Sequence, residues 1–155
     1  MITTEDAIDA LKAVFDSELA AAMTVIETAR SCTITRPKVI ARYYDFGRKY
    51  PKIELIPGDM DIQYGDPDAP LVEGIGFPSV DAFVSVAGTD DEALGDELCR
   101  YFEAIYNVID ADNTLGDEVD WAYPESVEWG DFAVALEDKR IVKSLRIGIQ
   151  MKKHG

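Results

Sequence analysis

The sequence predicts an α+β domain: an antiparallel or mixed β-sheet with two helices packed on one face and a long projecting loop. Three observations lead there. Two segments, 3–30 and 90–110, repeat apolar residues at steps of three and four. Several shorter segments alternate apolar and polar residues, as half-buried strands do. Their order is helix, one or more strands, a long loop, strand, helix, three strands. With 155 residues, 47% of them apolar and 29% charged, the chain can bury one core and is read as a single domain, 1–155.

The first helix is expected over 3–30. Thr3 or Thr4 can cap it, and Glu5 and Asp6 suit the positive end of the helix dipole. Its stripe is Ile8, Leu11, Phe15, Leu19, Ala22 and Ile26. Extended structure is expected around Val39, Ile40, Tyr43 and Tyr44, then a strand over Ile53–Pro57 that Gly58 ends. Residues 57–78 hold four of the seven prolines and four of the eleven glycines, so a long projecting loop is expected there. Val80, Ala82, Val84 and Val86 predict a strand ending at Gly88. Thr89–Glu92 has the form of a capping box for the second helix, whose stripe is Leu94, Leu98, Phe102, Ile105 and Ile109. A strand bent at Pro124 is expected over 119–129. A hairpin follows, 132–136 with 141–151, turning through Glu137–Arg140, and 152–155 form a frayed end.

Charge is unevenly spread. Thirteen of the fifteen Lys and Arg fall in two windows, Arg30–Lys52 and Lys139–Lys153. Between Ile53 and Asp138 the only basic residue is Arg100, against twenty-three Asp and Glu. Such a chain can present one acidic and one basic surface, and copies could meet head to tail. The net charge of −15 opposes generic binding to nucleic acid or to an anionic membrane. The N-terminus, MITTEDAIDA, has no form of a secretion signal, and Leu19–Ile26 is too short to span a bilayer. A soluble protein made in the cytoplasm, with Cys32 and Cys99 as reduced thiols, is the expectation.

Catalytic signals are scarce. The only histidine is His154, at a chain end, so a His-based nucleophile system is not expected. Zinc is not expected, and Gly74-Ile75-Gly76 is only a fragment of a phosphate loop. Asp59, Asp61 and Gln63 match the first ligand positions of a calcium loop, but Tyr64 replaces its glycine and Pro70 its final Glu. Asp110, Asp112 and Thr114 fail the same test at Leu115. Solvated acidic turns are the simpler reading of both, and no cofactor is expected. Trp121, Tyr123 and Trp129 share an alternating spacing and read as strand-face or core residues. Arg36, Arg42, Arg140 and Lys143 from the basic windows, with Tyr43 and Tyr64, are the candidate subunit or partner contacts.

The order of elements resembles the tail terminator, tail-completion and head–tail joining proteins of long-tailed bacteriophages. Four places carry the resemblance: the first helix, Lys49-Tyr50-Pro51-Lys52-Ile53-Glu54-Leu55, the capped helix after Val84-Ser85-Val86, and Thr114-Leu115-Gly116-Asp117-Glu118-Val119 before a hairpin. The resemblance implies a non-enzymatic ring, typically hexameric, in the virion tail or neck. Such a ring stops tube growth, binds tail-tube and neck or connector proteins, and leaves a channel for DNA without binding it specifically. Two other readings compete: a small acidic adaptor or inhibitor that mimics nucleic acid and occupies a basic partner, and an enzyme working through paired carboxylates.

Overall fold

A computed structural model describes residues 2–59, 61–63, 75–130 and 134–152. Helix α1 spans Thr4–Arg30. Thr3 caps it by accepting from Asp6 N, while Asp6 reaches back to Thr3 N in a reciprocal capping box. Ile8, Leu11, Phe15, Leu19 and Ile26 are buried as the spacing predicts, joined by Met23; Ala22 packs at the margin. Helix α2 spans Asp91–Ala111 and is capped by Asp90, which accepts from Glu92 N and Ala93 N. The cap therefore falls one residue after the Thr89 the sequence suggested. Tyr101, Ala104 and Val108 fill the core side of α2, and Phe102 sits at its edge.

The strands are β1 (Val39–Arg42), β2 (Lys52–Pro57), β3 (Asp61–Gln63), β4 (Ile75–Phe77), β5 (Ser79–Gly88), β6 (Trp121–Trp129), β7 (Val134–Ala135) and β8 (Ile141–Lys152). The main sheet runs β1-β2-β5-β8-β6, with β7 also on β8. Only β1 and β2 are parallel; the other pairs are antiparallel. The α+β architecture with a mixed sheet is as the sequence predicts. Two expectations change. The strand expected to include Tyr43 and Tyr44 ends at Arg42, because Tyr43 adopts a left-handed φ of 62° that turns the chain. The 57–78 segment is also not wholly irregular, since β3 and β4 pair as a two-stranded ribbon.

Ile53, Leu55, Val80, Ala82, Val84, Leu145, Ile147 and Ile149 form one face of the sheet and meet both helices in a single core. Each of these Val, Leu and Ile side chains stabilises the fold by roughly 1.5–3 kcal/mol through removal from water. The opposite face is polar, carrying Glu54, Asp81, Ser85, Ser144, Arg146 and Gln150. Strand β6 closes one edge. Its register shifts between Pro124 and Ser126, which, with Glu125 and Glu128, blunts that edge against strand addition.

The connection from α1 to β1 is held by both helices. Glu27 accepts from Ile34 N at 2.8 Å and pairs with Arg36 at 2.6 Å, while Arg36 also donates to Ile34 O. The buried Tyr101 hydroxyl donates to Thr35 O at 2.6 Å, and burial pushes its pKa well up. The Arg36 hydrogen bond, then the Ile34 N–H, hold the Glu27 carboxyl below its ordinary 4.5. A depressed carboxyl contributes stability that is present above its unfolded value and is lost as pH falls through the folded one. Glu27→Gln should therefore be less stable than the wild type at neutral pH, with the gap closing below about pH 4.5. Denaturant titrations across that range check this; a gap independent of pH would contradict it.

Candidate interaction surfaces

The strand registers define two ends of the domain. Lys52 of β2 lies beside Ser85 of β5, which lies beside Ser144 of β8. Strands β2 and β8 thus begin at one end, where β5 finishes and α2 starts. At the other end β8 finishes, α2 ends and α1 begins, as the Arg42–Asp9 contact of 2.7 Å shows.

The two basic windows, far apart in sequence, converge at the first end. Arg48 lies 3.9 Å from Glu137 of the β7–β8 turn. The Tyr50 ring has Lys52 5.3 Å from its centroid and Arg140 5.9 Å from it. Two acids at this end are paired with particular bases: Asp91 with Lys143 at 2.9 Å and Asp138 with Arg140 at 2.8 Å. Lys38, Lys49 and Lys139 form no ion pair among the described residues. The other end gathers Asp6 and Asp9 of α1 with Asp112, Asp117 and Glu118 of the segment after α2.

Between β1 and β2 the chain crosses the polar face through residues 43–51, and two buried polar side chains seat it there. Glu54, 5% exposed, accepts from Asp45 N at 2.7 Å. Lys52, 7% exposed, donates to Asp45 O at 2.6 Å and to Gly47 O at 3.3 Å. Asp45 closes a local turn by accepting from Gly47 N. The loop so fixed turns Phe46 outward, 94% exposed, beside Tyr44 at 62%. A nearly bare aromatic ring on a tethered loop has the character of an interface anchor, because its ordering cost is met before any partner arrives.

On the helix side, a groove of about 700 Å³ lies between α1 and the 112–118 segment. Its floor is Ala10, Ala13, Val14 and Leu115, and its rim carries Glu18 and Glu118. Left-handed φ values at Leu115, Gly116 and Asp117 shape its wall. Asp112 holds that turn by accepting from Gly116 N and from the Thr114 hydroxyl. This accounts for the acids around 110–114 as a turn that bonds itself. Of the other acidic loop, Asp59 is described but Tyr64 and Pro70 lie outside the described residues, as does His154. Among the described residues there is no group of three metal-binding side chains.

A second, polar concavity of about 470 Å³ opens on the sheet's free face, with Asp59, Asp81, Glu125, Glu128 and Arg146. Burial raises the Asp81 pKa, against the pull of Arg146 3.5 Å away; Asp59 and Glu128 push it the same way as burial. A Cβ on Gly58 would come within 3.0 Å of the Asp81 carboxylate, and one on Gly148 within 3.6 Å. Backbone thus closes around Asp81, whose ionic partner is the partly exposed Arg146 guanidinium.

The residues singled out from the sequence fare differently. Arg36 is used within the chain, on Glu27, Thr24 and Ile34. Arg42 is paired with Asp9 and Glu5 and lies over the Tyr43 ring. Arg140 and Lys143 stand at the basic end, each with an acidic neighbour. Tyr43 is exposed at the loop's start, and Tyr64 lies outside the described residues. Trp121 and Tyr123 stack at 4.9 Å on the polar face, whereas Trp129 meets Phe102 at 6.0 Å beside α2. They neither share a face nor fill the core, because the β6 bulge shifts the register between them. Phe46 was missed. Its signal was present in an Arg42–Lys49 stretch that puts three aromatics among bases, but the tether that exposes it depends on Lys52 and Glu54.

No protein-family model matches the chain, and comparison with curated proteins finds no match.

Glu54→Ala should free the 43–51 loop, leaving the Asp45 N–H without its acceptor. The expected loss is about 1–3 kcal/mol of stability, with faster hydrogen exchange at Asp45 and Gly47. Unchanged exchange there would show that Glu54 does not hold the loop.

Proposed function

We propose that the chain is a structural subunit of a phage virion. It would form a ring at the head-proximal end of the tail or in the neck, ending the tail tube, joining tail to head, or both. The observation that supports this best is the placement of unlike surfaces at opposite ends of one rigid sheet. The 43–51 loop crosses the polar face and carries Arg48 to the end where the basic windows meet, and an acidic groove lies at the other end. Contacts between unlike surfaces are heterologous, and they close into a ring when the rotation per subunit allows. Unlike charges also fix orientation and disfavour like-to-like pairing. The order of elements that resembles tail terminator and head–tail joining proteins points the same way.

Tail-tube and connector proteins would be the partners on the two rims. DNA would pass through the channel without specific binding, since a net charge of −15 repels phosphate. No catalytic step or cofactor enters this role. A nucleic-acid mimic would use the acidic end alone, and would leave the exposed Phe46 loop without a purpose.

Electron microscopy of the purified protein at low salt should show closed rings with an axial hole. Duplex DNA should not be retained in a mobility shift at moderate salt. Open filaments, or tight duplex binding, would contradict the proposal.

A further inference from the structure

The structure offers a specific pair of mating surfaces for this assembly, and the inference rests on the ring reading above. We propose that the 43–49 loop of one copy docks into the α1/112–118 groove of the next. Phe46 would enter over Ala10, Ala13 and Leu115, with Arg48 and Lys49 meeting Glu18 and Glu118.

Four features argue for it. Phe46 is 94% exposed on a loop that Lys52 and Glu54 hold in place, so it is displayed rather than loosely extended. The groove is lined in part by small and aliphatic side chains, which leave room for a ring; Ala13 is an exposed member of that lining. Glu18 and Glu118 on the rim are exposed and form no ion pair among the described residues. On the loop, Lys49 is likewise unpaired, and Arg48 has only a 3.9 Å contact with the exposed Glu137. The charges left over on each surface are therefore of opposite sign.

Another helix-side groove fits less well. It has Phe102, Tyr106 and Cys99, but its two acids, Asp96 and Glu103, are matched by Arg30 and Arg100, so it offers no excess of negative charge to Arg48 and Lys49. Glu103 there is already bonded to Arg30 at 2.8 Å. Loop and groove belong to different parts of the surface, so a single such contact between two copies leaves a free loop and a free groove, whereas a two-fold pair would have to form both contacts at once. Repetition of it generates a ring or a filament.

The test uses two full-length chains, each with Cys32→Ser and Cys99→Ser. One carries Gly47→Cys and the other Ala13→Cys, so Phe46, Arg48 and Lys49 are kept. Mixed under mild oxidation, they should give a disulfide-linked heterodimer that neither gives alone. Adding Phe46→Glu to the first chain should abolish that band; Phe46 is exposed, so circular dichroism should confirm an unchanged fold. Arg48→Glu with Lys49→Glu should also weaken the band, and Glu18→Lys with Glu118→Lys on the other chain should restore it. A missing band, or one indifferent to Phe46→Glu, overturns the contact. Sedimentation of the wild type then separates the two failures. A multimer without the cross-link leaves the ring and removes this contact, whereas a monomer without it removes both.

Discussion

Parallel pairing of β1 with β2 is the constraint on which the rest depends. Two parallel neighbours cannot be joined by a tight turn, so the chain must travel back along the strand before it re-enters the sheet. Here it does so in residues 43–51, on the face that the helices leave free. A backbone crossing a sheet face brings polar groups that need partners. Lys52 and Glu54 supply them from within β2, which is why two ionisable residues sit almost fully buried in a central strand. With the backbone satisfied inward, Phe46 has nowhere to go but out. One topological requirement thus produces both a buried polar cluster and an exposed aromatic ring.

The same geometry converts a sequence pattern into a surface. The basic windows are separated by most of the chain, yet β2 and β8 begin at the same end of the sheet, so the loop before β2 and the turn before β8 become neighbours. Acids from the start of α1 and the end of α2 collect at the opposite end because the two helices pack antiparallel. Local pairing then filters these charges. Arg36, Arg42, Arg140 and Lys143 each find an acid within the chain, and among the described residues without an ion pair are Lys49 on the 43–51 loop and Glu18 and Glu118 beside the helix-side groove. It is this residue of unmatched charge, more than the net charge, that supports the assembly reading.

Much of the fold was legible because burial follows periodicity. The stripe of α1 and the alternation in β5 and β8 were readable directly, since each element has one face on the core. What could not be read depended on partners distant in sequence. The left-handed Tyr43 that ends β1 and the β3–β4 ribbon have no local signature, and although Pro124 marked the irregularity in β6, the sequence did not say that it would send Trp129 to the helix side. The candidate surfaces were half legible: the segregation of charge was visible, but not which charges the chain would neutralise itself, nor that Phe46 would stand exposed.

The most direct test of the central claim, that unlike ends of this domain mate head to tail, is its absolute mass in solution by light scattering at low and at high salt. The account predicts a closed multimer at low salt that shrinks as salt screens the contact. A monomer at every salt and protein concentration would contradict it.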